Sequence, residues 1–270
     1  MTDYETVTYE VKDGIGWLTL NRPDVHNAFN IKMQLELRDI WRGARGDDEV
    51  RVIVLSGAGE KAFCTGIDRM ETMGSPVQDR VVGSRSTPFH FDDPGENIGP
   101  KSNDLWKPVI AAINGMACGG AFYMLGEVDI IIAAEHATFF DPHVTYGMAA
   151  SFESMHMVSK MPLGEVLRMQ LLGSHERLSA DRALQIGLVS EVCPLAELRD
   201  RAEWAASVIA ERPPLAIQAT VRATWAAHEL SRSQALALGY AYIGLGTSQE
   251  SIAEGQQAFA SGQRVEWRLR

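Results

Sequence analysis

The sequence predicts an α/β fold, and three observations carry that prediction. Short β-branched runs alternate with helical stretches as far as about residue 140. The central runs are apolar almost throughout, as strands are when both faces of their sheet are covered. Beyond residue 150 the pattern turns mostly helical. The expected organisation is a layered core over residues 1–195 followed by a helical C-terminal region over 196–270.

Taken in order, VTYEV and GWLTL open the chain as strands. VRVIVLS at 50–56, PVIAAI at 108–113, VDIIIAA at 128–134 and ATFF at 137–140 follow. The helical stretches are LGEVLRMQLL, SADRALQIG, LAELRDRAEWAASVIAER, LAIQATVRATWAAHEL and SQESIAEGQQAFA, with Gly and Pro punctuating the gaps. No internal repeat or low-complexity block appears. Segment 74–105 is the one long irregular stretch, with little periodicity and several Gly and Pro residues. A loop of that length inside a compact domain is usually functional or disordered.

Composition narrows the classes of function. With 46% hydrophobic and 22% charged residues the chain has an ordinary globular mixture, which excludes disordered and fibrous classes. A formal charge of −10 argues against a surface that coats nucleic acid. Three scattered cysteines, Cys64, Cys118 and Cys193, make neither a disulfide framework nor a zinc cluster and fit a reducing compartment. The N-terminus lacks a secretory pattern, and no apolar run approaches the roughly 20 residues of a membrane span. A cytoplasmic protein with no membrane partner is expected.

Two stretches share one plan. AFCTGID (62–68) follows a strand and leads into DRMETM, and NGMACGGAFYML (114–125) follows PVIAAI and opens an apolar helix. A strand, a turn of small residues and a helix start leave backbone N–H groups unpaired and pointing outward. Two such starts side by side make an anion site; the same small residues also serve close packing of helix on strand. Neither stretch has the GK[ST] ending of a phosphate loop or the dinucleotide glycine spacing.

Five motifs in register, LNRPDVHNAFN (20–30), AFCTGID, KPVIAAINGMACGG (107–120), DIIIAAEHATFFDP (129–142) and LSADRALQIGLVSEVCP (178–194), resemble the crotonase, or enoyl-CoA hydratase/isomerase, superfamily over nearly the whole chain. The resemblance implies a spiral of ββα turns with a C-terminal helical region that drives assembly as a trimer or dimer of trimers. It implies an acyl-CoA thioester substrate whose carbonyl is held by two backbone amides, here Thr65 and Gly120. Preorganised donors act where negative charge develops, and Gly at 120 leaves the thioester unobstructed. Asn27, Ala28, Ala62, Ile67, Asp68 and Gly119 match positions that shape the CoA site, although Asp68 also suits a helix cap. No metal or redox cofactor is implied, since coenzyme A enters as part of the substrate.

The departures are as informative. Hydratases of this kind place two Glu carboxylates around the substrate, and the two corresponding positions here are Tyr123 and His143. Histidine titrates near neutrality and can take an α-proton or activate water, whereas tyrosine is a weak base but a good donor to an anion. Glu153 is the first choice among other acids, ahead of Asp141, read as a turn cap before Pro142, and Glu127 one helical turn beyond Tyr123. Phe89, His90, Phe91, Asp92, Asp93 and Pro94 either wall an acyl pocket or lie on a surface loop. Nothing around Cys64 lowers its pKa, so it is not a nucleophile. Two classes of function stand: an acyl-CoA enzyme other than a standard two-glutamate hydratase (isomerase, lyase, hydrolase or unusual hydratase), or an inactive CoA-thioester-binding homologue.

Overall fold

The computed structural model describes residues 4–70, 94–262 and 264–270. Phe89 to Asp93, and all but the first three residues of the expected helix DRMETM, lie outside the described residues.

Strands β1 (Val7–Lys12) and β2 (Ile15–Leu20) form a hairpin whose two-residue loop, Asp13-Gly14, has φ of 52° and 78°. Two positive φ values give the turn whose twist suits paired strands. Helix α1 (Ile31–Gly46) follows; the Asn30 side chain accepts from the Met33 amide at 2.9 Å, and Met33, Leu37, Ile40, Trp41 and Ala44 make its buried stripe. Then come β3 (Val52–Gly57), β4 (Ala62–Cys64), the short helix α2 (Gly95–Ile98), β5 (Val109–Ile113), β6 (Met116–Cys118) and α3 (Ala121–Glu127). They are followed by β7 (Ile130–Ala134), β8 (Thr138–Phe140), α4 (Phe152–Met157), α5 (Leu163–Leu172), β9 (Leu178–Ser179), α6 (Ala180–Gln185) and β10 (Glu191–Cys193). Helices α7 (Leu198–Ala210), α8 (Pro214–Glu229), α9 (Arg232–Gly246) and α10 (Gln249–Ala260) complete the chain.

The strands form a larger sheet in the order β1-β2-β3-β5-β7-β10 and a smaller one in the order β4-β6-β8-β9. On each circuit, β3 then β4, β5 then β6, β7 then β8, the chain lays one strand in each sheet. All joins among β2, β3, β5, β7 and β10, and among β4, β6 and β8, are parallel. The result is a ββα spiral that repeats its turns side by side.

Alternate residues of the central strands enter two separate apolar layers. Ile53, Leu55, Ala111, Ile113, Ile131 and Ala133 face the core shared with α1 and α3. Val52, Val54, Ile110, Ala112, Ile132 and Ala134 meet Leu198, Ala202 and Ala206 of α7. Both faces are covered, which is why these strands read as unbroken apolar runs.

The first helix beyond the expected division at 195/196 packs on the larger sheet. Helix α7 is the outer layer of the sheet, so the change of character comes after Ala210. Helix α8 is docked by Trp225, whose indole donates to Asp129 at 2.7 Å, and by Arg222, which pairs with Asp104 at 3.2 Å. Helices α8 to α10 bury only Ala226 and Gly246, while Leu236, Tyr240, Ile243, Leu245 and Phe259 stay exposed. Among the described residues no helix is long and apolar enough to cross a membrane.

The described end of the irregular segment, 94–105, is well built. Asn103 donates to the carbonyls of Glu96, Asn97 and Gly99 at 2.9–3.1 Å, and the Trp41 indole donates to Ile98 O at 3.0 Å. Side-chain bonds replace the missing periodicity.

Candidate active site

The smaller sheet brings the two small-residue turns together. Strands β4 and β6 are parallel neighbours, so the chain leaves them at Cys64 and Cys118 on the same edge. Phe29 pins the first turn: its amide donates to Gly66 O at 2.8 Å and its carbonyl accepts from Asp68 N at 2.9 Å. Gly66 (φ 83°) and Gly119 (φ 55°) take left-handed conformations that favour glycine. Thr65 and Gly120 both line a cavity of about 450 Å³, and neither amide donates a hydrogen bond to a described residue. Two unspent donors therefore border one hollow.

The reason for glycine at 120 differs from the expected one. A Cβ there would meet the Phe29 ring at 2.7 Å and Gly66 Cα at 3.3 Å, so the position is bare because the chain behind it is crowded. The same geometry explains Gly66, which the sequence reading passed over. Its Cβ would lie 2.7 Å from the Gly120 nitrogen, over the second donor.

Side chains build the opposite wall. Helix α3 carries Tyr123, the turn after β8 carries Asp141 and His143, and α4 carries Glu153. Tyr123, His143 and Glu153 all line the cavity. Gly119 packs against the His143 ring, since a Cβ on it would come 3.7 Å from His143 Cε1. Helix α4 crosses α3 closely enough that a Cβ on Gly126 would strike His156, and the Tyr123 and His156 rings meet edge to face at 5.7 Å. This crossing delivers Glu153 to His143.

Asp141 does more than cap a turn. It is fully buried, and its Oδ1 accepts from His143 N at 2.9 Å and bonds His143 Nδ1 at 2.5 Å. With Nδ1 donating to the carboxylate, Nε2 faces Glu153 Oε1 at 3.6 Å. That spacing is too long for a direct hydrogen bond and leaves both groups able to act on a third atom. Asp141 Oδ2 has no hydrogen-bond partner among the described residues, so positive charge on the imidazole relieves a buried carboxylate.

The electrostatics follow from these contacts. The hydrogen bond to Asp141 lifts the His143 pKa above the ordinary histidine value; burial opposes it and the charge of Glu153 assists. Burial lifts the Glu153 carboxyl as well, countered in part by a backbone hydrogen bond, by the charge of His143 and by the Tyr123 hydroxyl, which donates to it. Donor atoms of Asp141, His143 and Glu153 lie within 4.8 Å of one another, the spacing of a possible metal site. Asp141 holds His143 through Nδ1 and leaves Nε2 toward Glu153, an arrangement that also serves as an acid–base chain.

The other expected residues divide into two groups. Ile67 and Gly119 line the cavity with the donors. Asn27 and Ala62 border a neighbouring hollow of about 370 Å³ with His26 and Lys61, linked to the cavity by Thr65 Oγ1, 3.4 Å from His26 O. The Asn27 side chain itself is internal: it donates to Ala58 O at 3.0 Å and Ala62 O at 2.9 Å. Asp68 is held by Arg22 at 2.9 Å and accepts from Met70 N, and the Ala28 carbonyl accepts from the same Arg22. Asp68 and Ala28 thus brace the first turn from behind. Glu127 turns away and accepts from Ser102 N at 2.8 Å. Cys64 and Cys118 are buried and pushed up to about 12 by loss of hydration; Cys193 is buried and raised for the same reason. Arg69, Tyr146 and Met148, which the sequence reading did not single out, complete the outer rim with Pro94.

A ββα spiral whose cavity pairs two free backbone amides with an acid–base chain defines a class of enzyme that holds a carbonyl while moving protons beside it. Comparison with known proteins gives the family. A family model for enoyl-CoA hydratase/isomerase matches residues 10–270. The chain is 34% identical over 255 residues to the (E)-benzylidenesuccinyl-CoA hydratase of Thauera aromatica, covering 94% of this chain and 95% of that one. It is 32% identical over 263 residues to a carnitinyl-CoA dehydratase of Salmonella agona, covering 94% of each. The crystal structure of an enoyl-CoA hydratase/isomerase from Mycobacterium paratuberculosis superposes with a TM-score of 0.88 at 35% identity, over 99% of this chain and 100% of that one. This chain belongs to the enoyl-CoA hydratase/isomerase family and is an acyl-CoA enzyme.

Proposed function

We propose that the protein adds water to, or removes it from, the α,β-carbons of an acyl-CoA thioester, using a histidine–glutamate pair in place of two glutamates. The observation that carries this reading is His143 Nε2 facing Glu153 Oε1 at 3.6 Å on a cavity that also holds the free amides of Thr65 and Gly120. The two relatives named above are a hydratase and a dehydratase, which supports the same direction. Coenzyme A enters and leaves with the acyl group, its arm lying along the hollow beside Asn27 and Ala62.

In the hydration direction the Glu153 carboxylate takes a proton from water and the oxygen bonds to Cβ. The thioester becomes an enolate whose oxygen lies on the Thr65 and Gly120 amides. The His143 imidazolium delivers its Nε2 proton to Cα, completing the addition of one water. The proton left on Glu153 returns to His143 through the next water to enter the gap between them, and Tyr123 keeps the carboxylate aimed through its hydrogen bond. Dehydration runs the same steps backwards, with neutral His143 taking the α-proton.

Incubation with a panel of enoyl-CoA thioesters in ¹⁸O-labelled water tests this by mass spectrometry. One labelled oxygen on the acyl group is expected, with crotonyl-CoA a poor substrate. An isomer without mass gain, free CoA, or binding without change overturns it in favour of isomerisation, hydrolysis or a binding protein.

The exposed apolar side chains of α8 to α10 support assembly of this chain with copies of itself, as a homotrimer or a dimer of trimers. Leaving such a surface in water costs roughly 25 cal/mol per Å² of apolar area. Light scattering at micromolar concentration is expected to give three or six chain masses, and a monomer overturns the proposal.

A further inference from the structure

We propose that His143 and Glu153, backed by Asp141, form a zinc site, and that a zinc ion held there switches the enzyme off. The binding stands on the geometry of the three side chains. The switching rests on the reading of His143 and Glu153 as the pair that moves protons.

Spacing and donor type choose the ion. His143 Nε2 and Glu153 Oε1 lie 3.6 Å apart on the wall of the cavity. Zinc takes imidazole nitrogen and carboxylate oxygen at about 2.0–2.2 Å and near-tetrahedral angles, which sets the two donor atoms about 3.4 Å apart. A square-planar or octahedral ion holding them at right angles needs about 2.9 Å. The observed gap is close to the first value. Magnesium and calcium are further disfavoured, because they take oxygen ligands and pass over imidazole.

Asp141 supplies the second support. Its Oδ1 holds His143 Nδ1 at 2.5 Å, so the neutral ring presents its lone pair at Nε2, and carboxylate, histidine and metal then follow in the order of many zinc sites. Asp141 is fully buried, and its Oδ2 has no hydrogen-bond partner among the described residues. With Glu153 also ionised the cluster carries two negative charges, of which an imidazolium answers one and a dication answers both. The charge of Arg69 works in the opposite sense at His143, against the two carboxylates. The ligands come from separate elements, the turn after β8 and helix α4, so the ion would also tie these two together. Zinc on Nε2 and Oε1 occupies both atoms that the hydration scheme uses, while the Thr65 and Gly120 amides are untouched.

The experiment titrates zinc, in competition with a chromogenic chelator, into chelator-stripped wild type, His143→Ala, Glu153→Gln and Asp141→Asn, and records thermal melts with and without the metal. Wild type is expected to bind one equivalent and to melt higher with zinc, since an ion that binds only the folded chain stabilises it. Magnesium does neither. His143→Ala and Glu153→Gln lose both responses, and Asp141→Asn binds roughly 10- to 100-fold more weakly, the usual cost of removing the group behind a ligating histidine. No binding by wild type, or binding that His143→Ala and Glu153→Gln leave intact, overturns the site. With an enoyl-CoA substrate, hydration is expected to fall in step with bound zinc and to return on chelation. A full rate in the zinc-filled protein overturns the switch, and a rate that requires zinc overturns both the switch and the acid role of His143. If zinc binds as described while no enoyl thioester is hydrated by the stripped protein, the site stands, and the switch falls with the hydration reading.

Discussion

Thr65 and Gly120 face His143 and Glu153 across one cavity, and the two pairs are held there by different means. The first pair acts through main-chain amides, fixed by parallel strands β4 and β6, by the Phe29 bridge and by two glycines with positive φ. The second acts through side chains delivered by separate elements, a turn after β8 and a helix that crosses α3. A backbone donor survives almost any substitution of its own side chain. A side-chain acid is changed by one codon, and Tyr123 and His143 stand where the family resemblance leads one to expect glutamates. The comparison teaches that a hold built from main chain tolerates substitution, whereas one built from side chains can be rebuilt residue by residue.

Substitutions on either wall sharpen or break that contrast. The largest effect is expected at His143→Ala, a loss of roughly 10²- to 10⁴-fold in kcat with binding of a saturated acyl-CoA retained. Unchanged turnover would show that the side-chain wall is a bystander. Gly66→Ala attacks the backbone wall, setting a methyl group 2.7 Å from the Gly120 nitrogen. Loss of one oxyanion donor lowers kcat by about 10²- to 10³-fold. Circular dichroism and thermal melts on the same sample separate this from misfolding, and near-normal kcat in a folded protein would disprove the oxyanion role.

A smaller change, about 10- to 100-fold, is expected for Asp141→Asn, the partner that orients an imidazole. Its distinguishing readout is pH dependence. Asp141 holds the His143 pKa above its ordinary value, and hydration requires the imidazolium, so the rate falls as pH rises through that raised pKa. Removing the Asp141 charge moves the fall to lower pH. A lowered rate with an unmoved profile would reduce Asp141 to a structural brace. The smallest effect, a few-fold, is expected for Tyr123→Phe, because a hydrogen bond that only aims Glu153 contributes about 1 kcal/mol.

The same contrast governs how much could be read from sequence. Strands β1, β2, β3, β5 and β7 of the larger sheet are visible in their β-branched or apolar runs, whereas β10, three residues long, is not, and the two small-residue turns announce themselves by strand, glycine and helix in series. Strands β4 and β6, three residues each, are too short to show periodicity. Helix α9 escaped notice because its apolar residues are not confined to one stripe. The gathering of Tyr123, His143 and Glu153 was expected from motif position, but Asp141 passed as a turn cap because its role depends on which way a buried carboxylate points. Arg69 was invisible for a related reason: nothing in DRMETM says that its guanidinium lies on a ring 77 residues further along the chain. Asn27 and Asp68 matched a family pattern, yet their side chains are spent on Ala58, Ala62 and Arg22. Sequence position showed where these residues are and not what they touch.

The three cysteines give the protein a practical property. Cys64, Cys118 and Cys193 are all buried, two with pKa values near 12, so the folded enzyme offers almost no thiolate to an aromatic disulfide reagent. In a thiol-colour assay of the native protein, colour then reports coenzyme A set free from its thioester, with little background from the enzyme. Hydration leaves such a solution pale, whereas hydrolysis colours it in step with each thioester bond cut, and the burial of the sulfurs makes a simple absorbance trace decisive between the two.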